Sequence, residues 1–493
     1  MYLQFPRENK SIGSRRGNTR IAWIYQILST EYKRIRTYDV VVLDKSDQAG
    51  GRVRDIKSPN NNTISQGAIF INPAVASDPT NPVAQVLSMT GLSGLLRPAF
   101  DISITGTAFN FMDTLGENPS RLLNPYPDLF DLAALNSESI AYVSLYFSFL
   151  SFVGGPTIPA APIPADLQLP TLDFLRKNGL LGLVPYLQSV FTSFGYGRLE
   201  TTPMLYTFRN ISPALFLQVP LILEGGMAQA FKSFAASQIN DLRLNVEIVM
   251  VIRLKMGGSY IIYEQEGASR LLHCNELVTA FPQRLEDMAF LLLDDIEKTI
   301  FKEVKTVPYS FHAVTIFPGL PHNTGLYPNG TLVTWNYRSP SSFDRGNTAG
   351  NTNTRPLDLK YGRGIANLGA VYNIRENQFG DDCAFWSSDP FSDGVSQEEF
   401  EEEIRREIAF LDSSLNATFI LDAFISHLKN LFLDSFYSRL KDLQGHKSTF
   451  HVGGLLNFDW VEGSMRAAQF SDSIKEISFH CVDDNRNLKT GLL

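Results

Sequence analysis

Charge is the first thing this chain is short of. Only 19% of its 493 residues are Asp, Glu, Lys or Arg, and the formal net charge is −8. Its basic residues are scattered rather than gathered in a stripe, so the electrostatic footprint of a nucleic-acid binder is missing and that class is excluded. Cysteine is scarce too. Cys274, Cys383 and Cys481 form no C-x-x-C pair and have no neighbouring His or Cys at ligand spacing, which argues against a structural zinc site. Three buried, unpaired cysteines acting as small hydrophobes are expected, with one disulfide and one free thiol as the alternative.

Several signatures are absent. G-x-S-x-G, G-x-x-x-x-G-K-[ST] and H-E-x-x-H do not occur, so no hydrolase, NTPase or zincin motif competes for the function. The first twenty residues hold no apolar h-region, so no signal peptide is visible. No stretch reaches the roughly 18 apolar residues of a membrane span. The nearest approach, residues 140–153, is interrupted by Ser144, Ser148 and Ser151 and closed by Gly154-Gly155-Pro156. It reads as a buried helix or an apolar channel wall, with peripheral membrane contact as the minority reading. Sequons at Asn61, Asn210, Asn329 and Asn416 permit a glycoprotein without requiring one.

What is present is apolar material, 44% of the chain, in a length that suits two to four folding units at roughly 100–200 residues each. Residues 20–36 carry Ile21, Ile24, Tyr25, Ile27, Leu28 and Tyr32 at helical spacing, ending in a basic turn. Residues 38–44, YDVVVLD, follow as a β-branched run without alternation, the mark of a parallel strand buried on both faces. Residues 80–215 are rich in Leu, Phe and Pro and mainly helical in pattern. From about 220 a glycine turn, a helix and several strands follow, with further strand-like runs between 301 and 338. Residues 396–411, opening on a Ser cap and an acidic first turn, predict a helix. His312 sits in one of the strand-like runs, where a core or cavity histidine is expected rather than a catalytic base.

The most specific local signal is VVVLDKSDQAGGRV. An acidic residue closing a buried strand accepts hydrogen bonds from ribose hydroxyls, which suits Asp44. Gly50 and Gly51 let main chain approach a pyrophosphate with no Cβ in the way, and Arg52 neutralises its charge. An ordinary strand and turn would read the same way.

The stretch from Asp44 and Lys45 to Gly50-Gly51-Arg52 resembles the second-strand signature of FAD oxidoreductases of the amine-oxidase type. Gln66-Gly67-Ala68-Ile69-Phe70, Glu224-Gly225-Gly226-Met227, the strands of residues 246–282 and Gly453-Gly454 with Val461-Glu462-Gly463-Ser464-Met465 resemble further segments of that superfamily, in the right order. The resemblance implies that Gly13, Gly17, Asp44, Lys45, Gly50, Gly51, Arg52, Gly67, Ala68, Val246, Gly454, Val461 and Glu462 bind FAD; helix capping explains Glu462 equally well. Within the superfamily the IAWIYQIL helix, QGAIFINP and the glycine turn after a long apolar insertion resemble the prenylcysteine oxidases. Those enzymes are similar in oxidising the thioether carbon of a prenylated cysteine to a prenyl aldehyde, cysteine and hydrogen peroxide. This implies an isoprenoid-like substrate, molecular oxygen as acceptor, and a lysosomal, vacuolar or secretory location.

One departure stands out. Where the superfamily opens with an apolar strand and G-x-G-x-x-G, this chain reads NKSIGSRRGNTR, in which Gly13 and Gly17 survive but Arg15 and Asn18 occupy the second and third glycine positions. Arg15 would crowd a pyrophosphate. Either the N-terminus is a truncated or misassembled reading of a longer precursor with a signal peptide, or the cofactor site has decayed, the first being preferred. The expected fold is α/β, a discontinuous Rossmann-type FAD domain from 1–80, 220–300 and 445–493, with a substrate domain from 81–219, mainly helical, and 301–444. An amine-oxidase-like or desaturase-like enzyme on another apolar metabolite and a non-catalytic lipid-binding remnant are the alternatives.

Overall fold

The computed structural model describes residues 40–51, 53–57, 63–66, 70–98, 108–110, 120–122, 136–154, 159, 162–183, 187, 199–213, 221–281, 283–317, 331–332, 371–375, 381–388, 416–430, 436–457 and 481–483. The first strands are β1 (Val41–Leu43), β2 (Arg54–Lys57), β3 (Thr63–Gln66) and β4 (Phe70–Ile71). Next come β5 (Leu96–Pro98), β6 (Ala108–Asn110), β7 (Ser120–Leu122) and β8 (Leu221–Leu223). A strand-rich stretch holds β9 (Asp241–Arg243), β10 (Glu247–Arg253), β11 (Ser259–Gln265), β12 (Ala268–Cys274) and β13 (Leu277–Thr279). The last are β14 (Val304–Phe317), β15 (Thr331–Leu332), β16 (Val371–Arg375), β17 (Asp381–Ser388), β18 (Asn416–Asn430), β19 (Thr449–His451) and β20 (Cys481–Asp483).

Among the described residues two pairings are parallel, and each joins segments far apart in sequence. β1 lies beside β9 with Val41 opposite Asp241, and β13 lies beside β19 with Leu277 opposite Thr449. The unalternating VVL of β1 fits such a strand: Val42 is buried, while Val41 and Leu43 pack on the larger core. β10, β11, β12 and β20 form an antiparallel sheet, and β15, β16, β17, β14 and β18 a five-stranded one.

Among the described residues the core forms two clusters. The larger joins the helices of residues 136–211 to the antiparallel sheet and to helices Asp295–Phe301 and Phe436–Asp442. At its centre Phe208 meets Phe174 edge-on at 5.6 Å and Tyr142 at 5.0 Å, a geometry that suits ring quadrupoles. The smaller cluster packs Val83, Val86 and Leu87 of helix Pro82–Met89 against Phe231 and Phe234 of helix Ala228–Gln238.

Helix Ala228–Gln238 begins without a side-chain cap of its own, since Met227 has no oxygen to offer. Asp55 of β2 supplies one. Its carboxylate accepts the Ala228 N–H at 2.9 Å and the Ser65 hydroxyl of β3 at 2.8 Å, and that hydroxyl in turn accepts the Met227 N–H at 3.2 Å. Burial pushes the Asp55 carboxyl up, opposed by these bonds. The turn before the helix must pass directly over the carboxylate, and a Cβ on Gly226, whose φ is 94°, would overlap it. The EGG turn is thus explained by a close approach.

Expectation and structure part at the cysteines. Cys274 is disulfide-bonded rather than free, and it stands opposite Cys481 in the β12–β20 register. Sequence spacing gave no hint because the two strands meet only in the folded sheet. The sequon at Asn210 also fails: its side chain is buried and donates to the Tyr206 carbonyl at 2.8 Å. The helices expected at 20–36 and 396–411, the first-strand region with Arg15 and Asn18, and the His312 side chain lie outside the described residues.

Two measurements test these points. Gly226→Ala should lower unfolding free energy by roughly 2–4 kcal/mol, combining backbone strain with a displaced cap. Gly91→Ala, at φ 71° with open space around it, should cost only about 1–2 kcal/mol. Peptide mapping without reduction should find Cys274 linked to Cys481 and Cys383 alkylated.

Candidate functional site

At the end of β1 the chain turns sharply, and Asp44 is held at the turn. Its N–H donates to the Arg243 carbonyl at 2.9 Å, its carbonyl accepts the Val246 N–H at 3.0 Å, and the Asn245 N–H reaches the Ser46 carbonyl at 2.9 Å. The segments following β1 and β9 are therefore laced together. The Asp44 side chain is only 6% exposed and accepts the Ser46 N–H at 2.9 Å. Burial pushes its carboxyl up, while the Ser46 hydrogen bonds and the Arg54 charge oppose that shift.

Six residues on, Gly50 and Gly51 have φ of 118° and 63°. The Val53 N–H closes the turn onto the Gly50 carbonyl at 3.0 Å. A Cβ on Gly50 would stand 2.8 Å from the Val53 carbonyl oxygen, so the first glycine is needed by the fold whatever it binds. Lys45 points outward, 3.9 Å from Glu247. Val246 is buried beside Asp44 with its N–H already engaged, and Gly454 is buried just beyond the end of β19. Gly13, Gly17, Arg52, Gly67, Ala68, Val461 and Glu462 lie outside the described residues.

A second polar group, not anticipated from sequence, gathers where β13 and β19 end. The Thr279 hydroxyl and His451 Nδ1 are 2.8 Å apart, and the Gln283 amide donates to the Val452 carbonyl at 2.9 Å and the Thr279 carbonyl at 3.2 Å. His451 Nε2 and Gln283 Oε1 are buried and make no hydrogen bond among the described residues. Carboxyl ends of parallel strands are where open α/β sheets receive ligands. The apolar-looking TAFPQ and FHVGG segments gave no sign that a Thr, a Gln and a His would converge. Burial pushes His451 down to about 4, so its imidazole is neutral at neutral pH.

Before β19, Asp294, Glu297 and His446 bring three potential metal-ligand atoms together. Their chemistry is that of a cap. Asp294 accepts the Ile296 and Glu297 N–H groups, the His446 Nε2 at 2.7 Å and the Lys447 ammonium at 2.9 Å, while Glu297 is paired with Arg253. Burial works to raise the Asp294 carboxyl, but the His446 and Lys447 hydrogen bonds outweigh it and hold it well below the usual range.

No protein-family profile matches the sequence. Two curated relatives are similar to it. The FAD-dependent oxidoreductase dbaF of Emericella nidulans is 22% identical over 452 residues, covering 86% of this chain and 84% of that protein. The FAD-dependent oxidoreductase oblC of Cochliobolus heterostrophus is 27% identical over 309 residues, covering 60% of this chain and 58% of that protein. Among solved structures, a conjugated-linoleic-acid-producing fatty acid isomerase from P. acnes overlaps 95% of this chain and 100% of its own, with a TM-score of 0.69 at 15% identity. Putrescine oxidase bound to putrescine overlaps 91% and 96%, with a TM-score of 0.60 at 13% identity. The chain shares the fold of these two structures. That agreement with the sequence resemblance extends to the fold and stops short of the prenylcysteine oxidases.

The depressed His451 pKa gives a pH signature. Because folded His451 titrates near 4 and an unfolded His near 6.5, the unfolded chain takes up that proton first. This group's contribution is complete above about pH 6.5, falls by up to about 3 kcal/mol as pH drops to about 4, and changes no further below. Loss of the Asp294 contribution begins only below about 4, its ordinary range. Urea midpoints across this window should slope in the parent, and His451→Gln should flatten the slope.

Proposed function

We propose that this protein is an FAD-dependent oxidase acting on a small apolar substrate, and that β1, β9, β13 and β19 belong to its nucleotide-binding sheet. The observation that carries the reading is Asp44. A buried carboxylate at the carboxyl end of a parallel strand, restrained by the Ser46 N–H, is an acceptor pre-positioned for vicinal ribose hydroxyls. The residues present fit the nucleotide end of FAD: an acceptor for the ribose, and two glycines in the left-handed region that leave main chain bare. FAD, when bound, supplies the hydride acceptor.

The chain's own residues do the rest. Buried aromatics around Phe208 give the helical region a rigid apolar interior, the kind of surroundings that exclude water from a reacting carbon. The finer reading is that of the prenylcysteine oxidases: a thioether carbon next to an isoprenoid double bond is oxidised, water adds, and the adduct breaks into prenyl aldehyde and free cysteine, with oxygen leaving as hydrogen peroxide. The sequence resemblance and the apolar insertion support it. A flavoenzyme on another apolar metabolite is the second reading, favoured by the extensive overlap with a fatty acid isomerase.

The purified protein should be yellow. Asp44→Ala should weaken FAD retention by about ten- to a hundredfold, the loss of a hydrogen bond to a charged acceptor, while its melting curve stays close to the parent's. Equal flavin content would refute the role of Asp44. Peroxide release on farnesylcysteine, and not on a fatty acid or a diamine, would single out the thioether substrate.

A further inference from the structure

The residue 140–153 stretch is a buried helix on one side only. Helices Asn136–Ser148 and Leu150–Val153 pack inward through Tyr142, Tyr146 and Val153, and the Tyr142 hydroxyl donates to the Ile211 carbonyl at 2.9 Å. Outward they expose Ile140 at 66%, Phe147 at 56% and Leu150 at 46%. Large apolar side chains on one outer helix face mark an interaction surface.

Two of the serines on that face are turned back on the helix. The Ser144 hydroxyl donates to the Ile140 carbonyl at 2.9 Å and the Ser148 hydroxyl to the Leu145 carbonyl at 2.7 Å. From Ser139 to Gly154 no residue carries a charge. The face therefore asks for neither salt bridges nor external acceptors for those two hydroxyls, which is complementary to hydrocarbon and lipid glycerol rather than to a charged protein surface. At about 20 Å the longer helix is too short for a hydrocarbon core of about 30 Å, and no helix among the described residues is long and apolar enough to cross a membrane. Its inner contacts also fix it to the protein.

We propose that this face seats the protein on an electrically neutral lipid bilayer, with Ile140, Phe147 and Leu150 dipping below the headgroups. The proposal deepens the reading of an apolar substrate, which would enter from the membrane, but its test does not depend on flavin. The full chain should float with pure phosphatidylcholine vesicles even in about 1 M salt, where charge attraction is screened within about 3 Å. Ile140→Ser combined with Phe147→Ser should cut the partition coefficient about a hundredfold, roughly tenfold per side chain, with unchanged melting and flavin absorbance. Ser148→Lys, which places a charge on the same face without touching the core, should also weaken binding. Phe147→Trp should shift its fluorescence to the blue on adding vesicles. The proposal falls if the parent does not float, if it floats only on anionic vesicles and is released by salt, or if the serine variants bind like the parent. A dimer that the serine variants convert to monomer would show that a second copy covers the face and would equally overturn it. Vesicle binding by a colourless protein would sink the oxidase reading and leave this one standing.

Discussion

The Asp55 carboxylate on β2 does for helix Ala228–Gln238 what that helix cannot do for itself. Helix Ala228–Gln238 has no capping side chain at its start, and the missing acceptor arrives from a hairpin more than a hundred residues earlier. An uncapped N-terminus buried against protein would leave donors unpaired at about 1–3 kcal/mol each. Because Ser65 bridges Asp55 to Met227, the hairpin, the glycine turn and the helix share one hydrogen-bonded centre. The Asp44 turn lies on one side of this centre in the chain, and the strand that pairs with β1 follows the capped helix. Misplacing Asp55 would disturb the approach of both.

Charge elsewhere is arranged by the same economy. The Arg253–Glu297 pair is almost wholly buried, and each Glu297 oxygen has a donor. A buried pair of this kind adds little net stability, yet removing one partner is strongly destabilising because it strands the other charge. Asp294 beside it caps a helix and receives His446 and Lys447, so helix Asp295–Phe301 is tied to the segment leading into β19.

Much of the framework was legible in the sequence. The unalternating run before Asp44 predicted a parallel strand, and EGGM predicted a turn and a helix; both are found. These signals are local, and local signals survive without knowledge of the partner. The Cys274 disulfide, the Asp55 cap and the Thr279–Gln283–His451 group were not legible, because each depends on residues brought together across long sequence separations. Residues 140–153 lie between these cases. Their composition announced an apolar helix, but only three dimensions reveal that Ile140, Phe147 and Leu150 face outward.

Both parallel pairs join strands separated by most of a domain's length, β1 with β9 and β13 with β19. During synthesis, β13 must wait until β19 has left the ribosome before its outer N–H and C=O groups find this partner. Closing so long a loop is entropically slow, and an unpaired, β-branched edge is exposed meanwhile. The architecture therefore makes this pairing a late step of folding, in which yield depends on how well the waiting edge is shielded.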